Sequence, residues 1–337
     1  MPEPTGQMDA VIAWVDGSDP AHAARRSTAM RQLGIPEDRP MNFASATRFS
    51  DLGEIYYCIA SILKYAPFIR RIHIVADDQK PSQIDEFARQ GLCDPDRIRI
   101  VDHREIFRGN EEFLPTFNCR TIEALMWNID GISEYYLYFN DDFFLNAPVS
   151  PTDFVLPDGK LRLEGDMRPV AGKLMKQRLR QALNRLLGRR HMATRTNLAQ
   201  AMAAQIVGQD RFLAVSHVPR PLRTDTLRTF FAERPGLLRE QLGHPFRSVA
   251  QFSPYVLANQ IELAAGRAEV APTSPVVYLT PSKVDEMDHV LERLNDPSRP
   301  FGCVQSLDEF PDDARQRFRA AMAEKFAGFL PERLVLS

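Results

Sequence analysis

The feature that most constrains the fold is a repeated pairing, an apolar run of strand formers that stops at a turn carrying carboxylates. The run Asp9 to Val15 halts at Asp16-Gly17-Ser18-Asp19-Pro20, Ile72 to Ala76 halts at Asp77-Asp78, and Tyr135 to Phe139 runs into Asn140-Asp141-Asp142. Strand followed by a Gly/Asp/Pro turn is how α/β folds present ligand-binding loops. Between these runs lie helical patterns. Residues 21–33 read as a short helix and 34–47 as loop. Leu52, Ile55, Tyr56, Ile59, Ile62 and Leu63 repeat at three- and four-residue spacing until Pro67. Ile84 to Gln90 is a helix closed by Gly91, Ile98 to Val101 a strand, and Thr121 to Trp127 a helix. This alternation, up to about residue 150, predicts an α/β fold with a mainly parallel sheet wound with helices.

After Pro169 the character changes. Nine Lys and Arg residues and no Asp or Glu lie between Asp166 and Asp210. A solvated basic helix is one reading; a surface for anionic glycan or for peripheral contact with lipid headgroups through residues 168–195 is the other. From Phe212 onward the pattern is helical, with one strand at Pro275–Leu279 and a closing amphipathic helix over Asp312–Phe329. Three parts are therefore expected, 1–165, a basic helical insertion at 166–210, and 211–337, together forming one continuous catalytic domain.

Length and charge narrow the function. At 337 residues the chain is long enough for one large α/β domain, and a net charge of -2 gives no electrostatic reason to bind nucleic acid. Four cysteines without CxxC spacing read as reduced thiols of a cytoplasmic protein. The N-terminus has no signal-peptide pattern and no apolar stretch is long enough for a span, so a soluble or peripheral protein is expected. Nucleophile-elbow, P-loop, dinucleotide and zincin motifs are absent.

Paired carboxylates after a strand can hold a divalent cation against the phosphates of a nucleotide sugar. Asp is also a common turn and cap residue, and Asp77/Asp78 fit that reading better. Asp141/Asp142 are delivered to a fixed position by an aromatic strand and are the stronger metal candidates. His217 is followed by Pro219 and Pro221, which stiffen the chain around it. Arg247 could clamp a phosphate through its planar fork of donors.

These residues resemble the Stealth family, bacterial capsule polysaccharide phosphotransferases related to the eukaryotic enzyme that tags lysosomal glycoproteins. Trp14 to Pro20 reads WVDGSDP, the family's first motif. The second region is matched by Arg48-Phe49-Ser50-Asp51, Glu54, Ser61-Ile62, Lys64 to Pro67, Ile69 to Val75 and Gln79. It continues through Ile100 to His103, Leu114 to Asn118, Ile122-Glu123 and Tyr138 to Asp142. The third is met by His217-Val218-Pro219, Arg247 and Gln251-Phe252. The chain departs in the fourth, where Gln305-Ser306 stands in place of Asn-Asp; Ala60 and Ala124-Leu125-Met126 are further departures.

The resemblance implies a GT-A-like nucleotide-sugar fold using Mg2+ or Mn2+. It implies transfer of a hexose-1-phosphate from a nucleotide sugar, UDP-linked by expectation, to a polysaccharide or glycoconjugate hydroxyl. In that scheme Asp141 and Asp142 orient metal or acceptor. Asp16, Gly17 and Asp19 serve the donor end with Asp51 and Asn118, and Arg48 and Arg247 hold phosphate oxygens. His217 moves a proton or stabilises phosphate, with Glu54 the rival base. An ordinary glycosyltransferase releasing a nucleoside diphosphate, and a non-catalytic glycan-binding homologue, remain the alternatives.

Overall fold

The computed structural model describes residues 7–35, 51–172 and 196–335. Its strands, in chain order, are β1 (Met8–Ala13), β2 (Ile69–Ala76), β3 (Ile98–Asp102), β4 (Tyr135–Asn140), β5 (Phe143–Leu145) and β6 (Leu161–Glu164). They continue with β7 (Asp166–Pro169), β8 (Arg211–Ala214), β9 (Arg220–Arg223), β10 (Ala268–Ala271), β11 (Val276–Leu279) and β12 (Phe301–Val304). Among the described residues the central sheet has five strands in the order β3-β2-β1-β4-β9. The first four are parallel and β9 closes the edge antiparallel to β4. The α/β class with a mainly parallel sheet is the architecture the strand-helix alternation predicts.

Both faces of that sheet are covered, as a parallel sheet requires. Side chains alternate along each strand, so Ala10, Ile12, Leu137 and Phe139 enter one core and Val11, Tyr136 and Tyr138 the other. The helix Glu54–Tyr65 packs into the first core through Ile55, Ile59 and Ile62. At the N-terminal ends of the strands, fully buried Asp9 accepts hydrogen bonds from Arg70, Arg71, His73 and Ser133. Burial alone would raise its pKa, but those bonds hold it at about 2.

The order of the strands places the site. Chain order reverses between β1 and β4, and in open α/β sheets the crevice outside the C-terminal strand ends at such a switch point takes the ligand. Here that crevice receives Trp14, Val15 and Asp16 from the end of β1 and Asp141-Asp142 from the end of β4.

The structure differs from the sequence reading beyond residue 140. The stretch after Phe212 is not purely helical, because β9 completes the central sheet and β10 and β12 join smaller ones. These strands are three or four residues long, too short to display a period, and β9 carries Pro221. Of the basic segment, residues 173–195 lie outside the described residues. On its flanks, the largely exposed β7 pairs with β8, and the helix Thr196–Ile206 buries Leu198, Ala199, Ala201, Ala203 and Ala204. No helix among the described residues is long and apolar enough to cross a membrane.

Candidate active site

A cavity of about 570 Å³ opens at the switch point and gathers residues from Ala13 to Asp308. Its polar lining includes an acidic cluster, Glu54, Asp141 and Asp142, and a basic cluster, Arg120, Arg220 and Arg247 around Glu123, with Asp77 and Asp308 also on the lining.

On the acidic side, β4 delivers Asp141 and Asp142, while Glu54 opens its helix after Gly53, which adopts a left-handed conformation at φ 94°. Burial pushes Glu54 up to about 7, and Asp51 and Asp142 add to the rise against amide hydrogen bonds such as that from Leu52. Burial likewise raises Asp142 to about 6, opposed by Cys303 and Arg220. Asp141 is raised well above the carboxylate range by burial and by its three acidic neighbours. Asp51, raised by burial and by Asp16, donates nothing and accepts from Gly53 N at 2.9 Å. Carboxyls that lift one another's pKa are a cluster short of positive charge.

On the basic side, Arg220 is 6% exposed, with its guanidinium 4.4 Å from the Tyr255 ring centroid, 5.0 Å from Phe143 and 5.1 Å from Tyr138. It donates to Asn140 Oδ1 at 3.2 Å, and its Nε has no partner. Arg247 donates to Cys119 Sγ at 2.6 Å, and Arg120 to the Ser248 carbonyl at 3.3 Å. Glu123, which accepts from Tyr138 Oη, has its pKa raised by burial and leaves Oε2 unpartnered. Three guanidiniums facing one reluctant carboxylate leave an uncompensated positive floor, suited to a polyanion.

The other expected residues fall into distinct places. Asn118 lines the cavity, but its side chain is committed: Nδ2 donates to the His244 carbonyl and Gln251 Oε1, both at 2.8 Å, and Oδ1 accepts from Arg120 N. It thereby fixes the loop that carries Arg247. Asp19 accepts from His22 N at 2.6 Å as the cap of the helix Pro20–Gln32. Asp16 accepts from Ser18, and Gln79 clamps its backbone on both sides, so Gly17 lies in a turn held against the end of β2. Asp77 lines the cavity and pairs with Arg25 at 2.9 Å, while Asp78 takes a left-handed turn at φ 53°. Arg48 lies outside the described residues.

His217, in the connection between β8 and β9, is exposed and is not among the residues that line the cavity. Its ring stacks on Tyr278 at 5.0 Å, and Nδ1 is 3.9 Å from Cys303 Sγ, which in turn is 3.6 Å from Asp142 Oδ2. Desolvation, then Arg220, lowers its pKa. Arg120, Arg220 and Glu123 were not assigned roles from sequence. A buried arginine looks like any surface arginine in a chain with 42 Lys and Arg; the available signal was Arg220 set between two prolines just after His217.

Among the described residues no three His, Cys, Asp or Glu side chains meet as a ready metal cage. The donor set nevertheless suits Mg2+, which is commonly held by one or two carboxylates plus substrate phosphates. Among the described residues buried Asp142 Oδ1 has no hydrogen-bond partner, and Asp141 beside it offers two more carboxylate oxygens.

Comparison with known proteins agrees with the motifs. The family model for Stealth protein CR1, conserved region 1, matches residues 6–34, and that for Stealth protein CR2, conserved region 2, matches residues 48–163. An exopolysaccharide phosphotransferase of Streptomyces coelicolor is 30% identical over 325 residues, 96% of this chain and 56% of its own length. One of Nocardia farcinica is 29% identical over 336 residues, 98% of this chain and 62% of its own. The chain thus spans less than two thirds of either relative. A galactosyltransferase crystallised with donor and acceptor sugar analogues superimposes over 88% of this chain and 87% of its own, at 15% identity and a TM-score of 0.41.

Proposed function

Because the chain belongs to the Stealth family, we propose that it transfers a hexose-1-phosphate from a nucleotide sugar to a carbohydrate hydroxyl, in capsule or exopolysaccharide synthesis. The observation that carries this reading is one cavity lined by both a carboxylate cluster and an arginine cluster. Arginines suit the dianionic bridge of a nucleotide sugar, and carboxylates suit its hydroxyls or a cation bound to that bridge.

In the proposed reaction the acceptor oxygen bonds to the β-phosphorus of the donor. The bridging bond from that phosphorus to the oxygen of the α-phosphoryl group breaks, and a nucleoside monophosphate departs. The acceptor proton passes to the protein, and the sugar–oxygen–phosphorus linkage survives as one half of a phosphodiester. Arg220 and Arg247, with Arg120 behind them, hold phosphate oxygens as negative charge redistributes. Glu54, ionisable near neutral pH and in the cavity, takes the acceptor proton, while His217, which reaches Asp142 through Cys303, is the other group able to do so. Asp141 and Asp142 would hold Mg2+ or Mn2+, which supplies charge neutralisation at the diphosphate when bound. The donor turn Asp16-Gly17-Ser18-Asp19 shapes the entrance beside Trp14.

The GT-A-like class, a UDP-linked donor, a polysaccharide acceptor and a cytoplasmic setting belong to the same reading. So does the assignment of residues 1–165, 166–210 and 211–337 to one catalytic domain, since residues from Ala13 to Asp308 share the cavity. Incubation with nucleotide sugars, Mg2+ and an oligosaccharide acceptor tests it. Release of a nucleoside monophosphate supports the proposal; release of a diphosphate makes the protein a glycosyltransferase; no binding of any nucleotide sugar leaves the glycan-binding alternative.

A further inference from the structure

Gln305 lines the cavity on its carboxylate side, in a wall tied directly to Asp142. Val304 N donates to the Asp142 carbonyl at 2.9 Å, and Gln305 N donates to the Leu279 carbonyl at the same distance. Ser306, next along, adopts the left-handed region at φ 57°, a conformation that non-glycine residues rarely take. The turn it makes lets Gln305, Ser306 and Asp308 all face one space.

The Gln305 amide is held at one end. Tyr278 Oη donates to its Oε1 at 2.5 Å. Tyr278 is in turn fixed by the His217 ring stacked on it at 5.0 Å and by Lys283 Nζ 5.7 Å from its centroid. Among the described residues Nε2 of Gln305 has no partner. With its oxygen engaged the amide has a set orientation, and among the described residues its two N–H bonds are uncommitted donors beside the carboxylates, as is the hydroxyl of Ser306 next to it. Carboxylates accept hydrogen bonds from hydroxyls, and an amide N–H beside them supplies a donor for the oxygens of a sugar.

We propose that Gln305 reads the hexose portion of the donor, with Nε2 donating to a sugar oxygen, either a ring hydroxyl or the carbonyl of an acylamino substituent. Tyr278 is a positioning residue for that contact. The assignment rests on the nucleotide-sugar reading above and extends it to the part of the donor that is transferred.

Calorimetric titration of UDP, UDP-glucose and UDP-N-acetylglucosamine with Mg2+, into wild type, Gln305→Met and Gln305→Glu, tests it. Wild type gains affinity from the sugar relative to UDP. Gln305→Met, similar in volume but without a donor, binds UDP as wild type does and loses roughly 5- to 10-fold of the gain. Gln305→Glu, which offers only an acceptor, loses at least as much. Tyr278→Phe frees the amide and gives a smaller loss, raising KM for the donor more than it lowers kcat. Retention of the full gain by both Gln305 variants overturns this assignment and leaves the functional reading standing. Absence of any sugar-dependent gain in wild type overturns both.

Discussion

The guanidinium of Arg220 lies 4.4 Å from the centre of the Tyr255 ring while its Nη1 reaches Asn140 Oδ1 at 3.2 Å. One buried cation is thus braced by an aromatic face and by the residue that precedes the acidic pair, which couples the arginine floor to the carboxylate wall.

Replacement of Arg220 should therefore disturb both halves. Arg220→Lys keeps the charge but not the planar fork or the stacking, and turnover is expected to fall on the order of 10²-fold, the scale seen when one oriented donor to a transition-state oxyanion is removed. Because Arg220 opposes the rise in the pKa of Asp142, Arg220→Met should move that carboxyl further up. Steady-state rates, with thermal melting as the control for folding, measure the first effect; the acid limb of the pH profile measures the second.

Glu54 makes stability depend on pH. Its folded pKa of about 7 lies above the ordinary glutamate value of 4.5, so the folded state holds the proton more tightly. Stability from this group is fullest below pH 4.5 and declines as pH rises to about 7, by about 3 kcal/mol at most. Chemical denaturation of metal-free protein from pH 4.5 to 8 should show this decline, and Glu54→Gln should flatten it. Mg2+ should raise the melting temperature more at pH 7.5 than at pH 5.5, since carboxylates ligate when ionised; EDTA should reverse the gain.

His217→Ala should lower kcat by roughly 10²–10⁴-fold if the imidazole transfers the proton. Glu54→Gln should do so instead if the carboxylate is the base, and the variant that abolishes the limb near pH 7 identifies which group titrates. An unchanged rate in folded His217→Ala protein removes the imidazole from the proton transfer.

Gly302 tests how the wall is set. A Cβ there would lie 2.1 Å from Phe144 Cζ, across the pairing of β12 with β5. Gly302→Ala should cost about 1–3 kcal/mol in unfolding free energy through overpacking, and reduce activity because β12 leads into Val304 and Gln305. Phe144→Leu in the same chain should recover part of the stability, measured by denaturant midpoints.

Much of the central sheet was legible because β1, β2, β3 and β4 are long apolar runs with carboxylates at their ends. The later strands were not, since three or four residues such as Phe143–Leu145 carry no readable period and Arg220–Arg223 begins and ends in charge. For the site, motif spacing pointed to Glu54, Asp141, Asp142 and Arg247, all of which line the cavity. It pointed equally to Asn118 and Asp19, whose side chains are occupied as a loop clamp and a helix cap. Pattern alone does not separate a residue that meets ligand from one that holds its neighbour in place. Arg220 stayed hidden because only tertiary packing turns an ordinary cationic side chain into a buried one.

The bond from Val304 N to the Asp142 carbonyl also bears on the order of assembly. During synthesis the parallel strands emerge early and can pair with one another, yet the acidic loop they carry lacks its brace until the ribosome has made β12. A nascent chain therefore possesses its sheet well before it possesses a finished pocket, and ligand capture should be among the last properties it acquires.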